Sequence, residues 1–462
     1  MEKVKIGFLP LYIKLYDDRV ASLRPGIEAY RDSLTAALRA EGMDIVEADI
    51  CRIVPEFDAA VKHFESEKVD AIVTVHLAYS PSLECIEALS KTKLPIIILD
   101  TTRDHSFGFD VAGDDVLYNH GIHGVQDFCN LLRRKNKDYT LFVGPYEKSD
   151  VIKRVADAAR AVKAAKCMSD MKVGQIGGSF AGMGDFLASE NAMKRLGVTT
   201  VECGGEELAI LRDTVKVEDI RAEYEIDCVE NGASAVSFDE YAYGERIGLA
   251  IRKWIENNSL DAFTMTFLSA GKVDGFDTMP FTESSKAMAR GIGYAGEGDV
   301  LTAALVGALS KTFDKVNFTE MFCPDWKGDS IYLSHMGESN LKLLESKKTV
   351  VMSFPYADGP DPTCVYGHMV AGKACICNIL PNAEDWFDLI ICEGEMLKLP
   401  DKIDALKGSM NGWFKPQNMP VSSFLEKYSE LGGTHHSALV YGVDAKSLTL
   451  FAKALGMKYT VI

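Results

Sequence analysis

The sequence has no apolar run of the about 18 residues that a membrane-spanning helix needs. No G-x-G-x-x-G follows the first strand-like stretch, and no G-x-x-x-x-G-K-[ST] occurs anywhere. The glycines of GQIGGSFAGMG have neither spacing, which argues against a dinucleotide dehydrogenase. A basic excess is missing too: 50 Lys and Arg stand against 67 Asp and Glu, for a net charge of -17. Nucleic acid and anionic membrane both need a basic footprint, so neither is expected as a partner. The N-terminus, MEKVKIGFLPLYIKLYDDR, reads as a first strand and not as a signal peptide, so a cytoplasmic protein is expected. Its 11 scattered cysteines then read as free, mostly buried thiols. Cys375 and Cys377 form a C-x-C without a second pair at zinc spacing, which reads as strand packing.

What is present is an ordinary globular composition, 47% hydrophobic and 25% charged over 462 residues. At roughly 100–200 residues per domain, three domains are expected. In the first third, VKIGFLPLYI, MDIVEADI, DAIVTVHL, PIIILD and YTLFVG are strand-like. Helix-spaced GIEAYRDSLTAALRAEG, EFDAAVKHFESEK, SPSLECIEALSKT and HGIHGVQDFCNLLRRKNK lie between them, and KSDVIKRVADAARAVKAAKCM closes the unit. This alternation predicts a parallel sheet covered by helices. A second α/β series runs from KVGQIGGSF through DAFTMTF and MPFTESSKAMARGIG to the helix DVLTAALVGALSKTF. After it come short strand-like pieces: NFTEMFCPDW, KTVVMSFPYA, KACICNIL, DLIICEGEML and SMNGWFKP. A helix, DAKSLTLFAKALG, and a last strand, KYTVI, follow. The expected fold is two doubly wound Rossmann-like α/β domains, 1–167 and 168–317, followed by a mainly β, barrel-like domain, 318–462.

Four stretches carry candidate chemistry. In GYAGEGDVLTAAL, Asp299 reads as a helix N-cap. Glu297 lies between two glycines, which leaves it either a solvated loop residue or a side chain thrust into a cleft. In NFTEMFC, strand periodicity puts Phe318, Glu320 and Phe322 on one face. A carboxylate there is costly to bury without a partner, unless it lies at an edge and reaches water. In SIYLSHMGE, His335 shares a face with Ile331 and Leu333, as a core histidine or a ligand. In GGTHHSALVYG, successive strand side chains point to opposite faces, so only one of His435 and His436 is expected to face a given site. Two carboxylates with two imidazoles suit a divalent ion such as Mn²⁺ or Co²⁺; Zn²⁺ stays open and Ca²⁺ is disfavoured.

At these residues the sequence resembles the L-arabinose isomerase family, within the wider L-arabinose/L-fucose isomerase group. GYAGEGDVLTAAL resembles the family's A-E-G-D-x-x-T-A-A-L segment, FTEMF the region of its second glutamate, and LSHMGE its H-M-L-E segment. GGTHHSALVYGVDAKSLTLFAKALGMKYTVI resembles the family's C-terminal stretch almost throughout, and NHGIHGVQDF its A-H-G-x-x-E-F-G segment. The likeness is sharp from about residue 261 onward and weaker before it. It implies metal ligands Glu297, Glu320, His335 and His436, with the two glutamates as acid–base pair. The ion it implies is Mn²⁺ first, with Co²⁺ or Mg²⁺ as alternatives.

The resemblance further implies an aldose–ketose isomerase acting on an open-chain sugar through a cis-enediol. It also implies a homo-oligomer, a trimer-based hexamer, with active sites at subunit interfaces. His120, His123, Met183, Phe267 and His435 become the candidate substrate contacts, with Tyr12 beside them. Gly337 stands where the family has leucine, and His120 where it commonly has glutamine. These departures leave a modified hexose, 6-deoxy or sulfonated, as an alternative substrate, with His120, Lys14 and Arg103 as anion contacts. A non-catalytic sugar-binding protein of tandem α/β domains is the alternative of another class.

Overall fold

The computed structural model describes residues 2–400 and 412–462. The chain forms two compact units: residues 2–163 with 446–454, and residues 164–445 with 455–462.

The first unit is built on β1 (Lys5–Leu11), β2 (Asp44–Glu47), β3 (Ala71–His76), β4 (Ile96–Asp100) and β5 (Tyr139–Val143). All pairings are parallel, in the order β2-β1-β3-β4-β5. The central strands AIVTVH and IIILD are buried at every residue, as expected of a parallel sheet covered on both faces. Helix Arg24–Ala40 shows the complementary logic: Ile27, Tyr30, Leu34 and Leu38 recur at helical spacing and are buried, with Thr35 beside them.

The second unit opens with β6 (Met171–Ile176), β7 (Val198–Cys203), β8 (Ala262–Met265) and β9 (Gly293–Gly296), again parallel, in the order β7-β6-β8-β9. Sequence periodicity passes over β7, because Thr199, Thr200 and Glu202 on this edge strand face solvent and dilute its apolar signal.

An antiparallel sheet follows, of β10 (Val316–Asp325), β11 (Ser330–Ser334), β14 (Gly372–Pro381), β15 (Phe387–Met396), β16 (Gly412–Pro416) and β17 (His436–Tyr441); β12 (Leu344–Val351) and β13 (Thr363–Met369) pair separately. Its order is β14-β17-β10-β11-β16-β15, and a β14–β15 pairing closes the ring into a barrel. Parallel β18 (Lys458–Val461) lies outside it on β15. The start of SMNGWFKP, Ser409 to Asn411, lies outside the described residues. Cys375 and Cys377 are buried on β14.

One helix joins sheet to barrel. Val300–Ser310 (VLTAALVGALS) is apolar all round and buried from Leu301 to Leu309. It packs on β8 and β9 and also on β10, β14 and β17. No helix among the described residues is long and apolar enough to cross a membrane.

Candidate active site

The end of β9, the start of that buried helix, and the barrel strands β10, β11 and β17 converge. Glu297 is the first residue after β9, buried, with φ at 62°. An L-residue rarely adopts this conformation, and it turns the carboxylate away from the strand line. Gly296 is required beside it: a Cβ there would sit 2.3 Å from His335 Cε1.

Glu320 lies on β10, in register with His436 on β17 and with Ser334 on β11. His335 follows β11 directly and is 7% exposed; His436 opens β17 and is fully buried. One ligand atom from each of Glu320, His335 and His436 lies within 4.8 Å of the others, and the same holds for Glu297, His435 and His436. His335 Nε2 and His436 Nε2 are buried with no hydrogen-bond partner. Buried polar atoms of that kind are rare, and two of them beside two carboxylates fit a divalent transition ion.

Each histidine is held at its other nitrogen. His335 Nδ1 lies 2.8 Å from Glu338 Oε1, His436 Nδ1 3.0 Å from Asp299 Oδ2, and His435 Nδ1 2.6 Å from Asp185 Oδ2. Asp299 is the predicted N-cap, taking the Thr302 N–H at 2.8 Å, and its second oxygen serves His436. Glu338 also accepts from Tyr294 Oη and from the Gly337 N–H. Phe186 stacks on His436 at 5.4 Å, and Phe318 meets both His335 and His436 edge-on.

Burial raises the Glu297 carboxyl, but the His435 hydrogen bond and the nearby imidazoles outweigh it, and the net direction is down. Burial dominates at Glu320, which goes up. Burial lowers His435, yet its bonds to Glu297 and Asp185 carry it up to about 9. Burial holds His436 well below its ordinary value, with His335 and His435 adding to the effect. Burial also pushes Asp299 up to about 7.

Two expectations are corrected. Both adjacent histidines approach Glu297, His435 Nε2 at 3.5 Å and His436 Nε2 at 3.6 Å. Strand alternation does not separate them, because His436 is the first residue of β17 and His435 lies before it. The shared face of Phe318, Glu320 and Phe322 ends at Glu320. A bulge between Met321 and Cys323 breaks the alternation, leaving Phe318 buried and Phe322 exposed.

The remaining candidates are divided between this unit and the other. Phe267 packs on Phe180 at 5.3 Å, and the Phe180 N–H binds the Glu297 carbonyl at 2.9 Å. Half-buried Met183 shares the loop with Asp185 and Phe186. His120, His123 and Tyr12 belong to the other unit. There His123 stacks on Tyr79 at 4.2 Å and meets His120 at 4.1 Å, and Tyr16 Oη lies 3.3 Å from His120 Nδ1. Tyr12 is buried with its hydroxyl unpartnered. Gly337 is accounted for locally: a side chain there would meet the Phe281 ring at 2.7 Å. Sequence reading passed over Asp185 and Glu338 and saw Asp299 only as a cap. The spacing of Glu338 three residues after His335 was the one available signal.

The family model of the L-arabinose isomerase central domain matches residues 191–314, and that of its C-terminal domain residues 315–458. The L-arabinose isomerase of Shouchella clausii is 26% identical over 412 residues, 85% of this chain and 81% of its own. That of Oceanobacillus iheyensis is 24% identical over 459 residues, 94% of each chain. That of Phocaeicola vulgatus is 23% identical over 459 residues, 94% of this chain and 89% of its own. With more than half of its length matched by the two domains and most of it by these relatives, the chain belongs to the L-arabinose isomerase family and is an isomerase, an intramolecular oxidoreductase of the aldose–ketose type.

Proposed function

We propose that this isomerase moves protons between C1 and C2 of an open-chain aldose, with Glu297 and Glu320 as its acid–base pair. In this reading Glu297, Glu320, His335 and His436 hold a divalent ion, Mn²⁺ first and Co²⁺ or Mg²⁺ next. The observation that supports it is the pair of unpartnered, buried Nε2 atoms of His335 and His436 beside two carboxylates. Such an ion, when bound, supplies Lewis-acid stabilisation of charge on the substrate's oxygens. One glutamate takes the C2 proton while the other helps move the hydroxyl proton, giving a cis-enediol. Return of a proton to C1 yields the ketose. Acid–base help of this kind contributes about 10²–10⁴-fold. Glu297 is buried and Glu320 half-buried beside the imidazoles, which limits the water that competes for these protons.

The sugar is an aldose of the L-arabinose class by its relatives' names, with 6-deoxy and sulfonated hexoses as alternatives. Identities of 26% and below leave room for either. The proposal extends to a trimer-based homo-oligomer, a hexamer, in which the His120–His123–Tyr79 set of one subunit completes a neighbour's site. It includes a cytoplasmic setting, supported by eleven cysteines outside any disulfide.

The test is ketose formation by metal-stripped protein, with and without Mn²⁺, across L-arabinose, D-galactose, L-fucose, D-ribose and 6-substituted glucoses. Mn²⁺-dependent ketose from one sugar supports the reading. Equal turnover in chelator and in Mn²⁺ removes the metal from it. Sedimentation as a monomer at working concentration removes the oligomer.

A further inference from the structure

Resting on that reading, we infer that Asp299 and Glu338 are positioning residues that fix His436 and His335 with both Nε2 lone pairs turned toward Glu297 and Glu320. The two histidines come from different segments, His436 from β17 and His335 from just after β11, and meet their carboxylates at the same ring atom, Nδ1, at 3.0 and 2.8 Å. An ionised carboxylate only accepts, so with Asp299 and Glu338 ionised each of these contacts puts the ring proton of the neutral imidazole on Nδ1 and leaves Nε2 bare. Both Nε2 atoms are buried and unpartnered. A ring free to take the other tautomer would instead bury an N–H against the site, where it could hold no ion.

Both carboxylates are committed at both oxygens. Asp299 Oδ1 takes the Thr302 N–H and Oδ2 takes His436. Glu338 Oε1 takes His335 and the Tyr294 hydroxyl, and Oε2 takes the Gly337 N–H. An amide at either position has one acceptor where two are needed. Its NH₂ must then face an N–H donor, which either breaks the local backbone contact or turns the ring. Asp185 on His435 repeats the pattern, with its Oδ2 also taking the His435 backbone N–H.

The experiment is calorimetric titration of the full chain, metal-stripped, with Mn²⁺ alone, for the parent, Asp299→Asn and Glu338→Gln. Metal-free melting of each protein runs alongside. The expected result is a Kd weakened about 10–100-fold in each variant, with a lowered but still cooperative metal-free melting transition. Well-folded variants that bind Mn²⁺ as tightly as the parent overturn the inference. A parent that binds no Mn²⁺ overturns the metal reading itself, and this inference with it. Because Asp299 also caps a buried helix, its variant could fail to fold; Glu338→Gln, which caps nothing, then carries the titration. A second measurement needs no variant: long-range ¹H–¹⁵N spectra of the histidine-labelled, metal-free parent report the tautomers directly. Unprotonated Nε2 on His335 and His436 at mildly alkaline pH is expected. A proton found on Nε2 and absent from Nδ1 overturns the assignment.

Discussion

Glu320 and His436 are cross-strand partners, directly opposite each other on β10 and β17. Residues more than a hundred positions apart in the chain become neighbours because β10 and β17 pair in the barrel. Glu297 joins them from the central sheet, 3.6 Å from His436 Nε2.

Glu297→Gln keeps the shape of the side chain and removes its charge and basicity. Turnover is expected to fall at least about 100-fold with the fold intact. Initial rates on the converted sugar, beside a melting curve, check this. A variant keeping most of the parent's kcat sinks the acid–base assignment.

Gly296→Ala places a methyl 2.3 Å from the His335 ring. His335 or the β9 backbone must shift, at a cost of about 1–3 kcal/mol. Lower thermal stability and weaker Mn²⁺ binding are expected together. Unchanged values for both would mean that the turn is softer than the packing indicates.

Away from the site, Lys286 is buried among Glu223, Asp227 and Glu245, at 2.7, 2.6 and 3.0 Å. Lys286→Met leaves the buried Asp227 and Glu245 without their nearest cation, while Arg252 still holds Glu223 at 2.6 Å. A loss of about 3–5 kcal/mol is expected at neutral pH, measured by denaturant unfolding. The loss shrinks at acid pH, where the carboxylates are protonated. Parent-like stability at neutral pH would count against the cluster as drawn.

His76 ends β3, and burial lowers it to about 3. In the unfolded chain it titrates near the ordinary imidazole value of 6.5. Between these values the unfolded state binds a proton that the folded state does not. The stability is therefore fully present above the unfolded pKa and is lost as pH falls, by up to about 1.4 kcal/mol per pH unit. Urea unfolding between pH 7 and 5 is expected to show this slope in the parent and a shallower one in His76→Leu. Equal slopes would place the titration elsewhere.

Much of the architecture was legible in the chain because its cues are local. AIVTVH and IIILD are apolar at every position, and two-sided burial is the only setting that suits them. Asp299 before VLTAALVGALS announced a capped, buried helix. Glu297 between glycines pointed to an unusual turn, and its φ of 62° is that turn.

Tertiary structure decided what depends on pairing across distance. The bulge that exposes Phe322 comes from the register of β10 with β11, which no alternation within NFTEMFC contains. His435 and His436 both reach Glu297 because β17 begins at the second of them, a boundary set by its pairing with β10. Asp185, Asp299 and Glu338 hold the three histidines only after sheet, loop and barrel have packed together. Side-chain period and capping residues act within a few positions of the chain, so the sequence by itself determined the elements and their buried faces. Register and ring closure depend on contacts between remote segments, so the folded chain alone decided which carboxylate stands behind which imidazole.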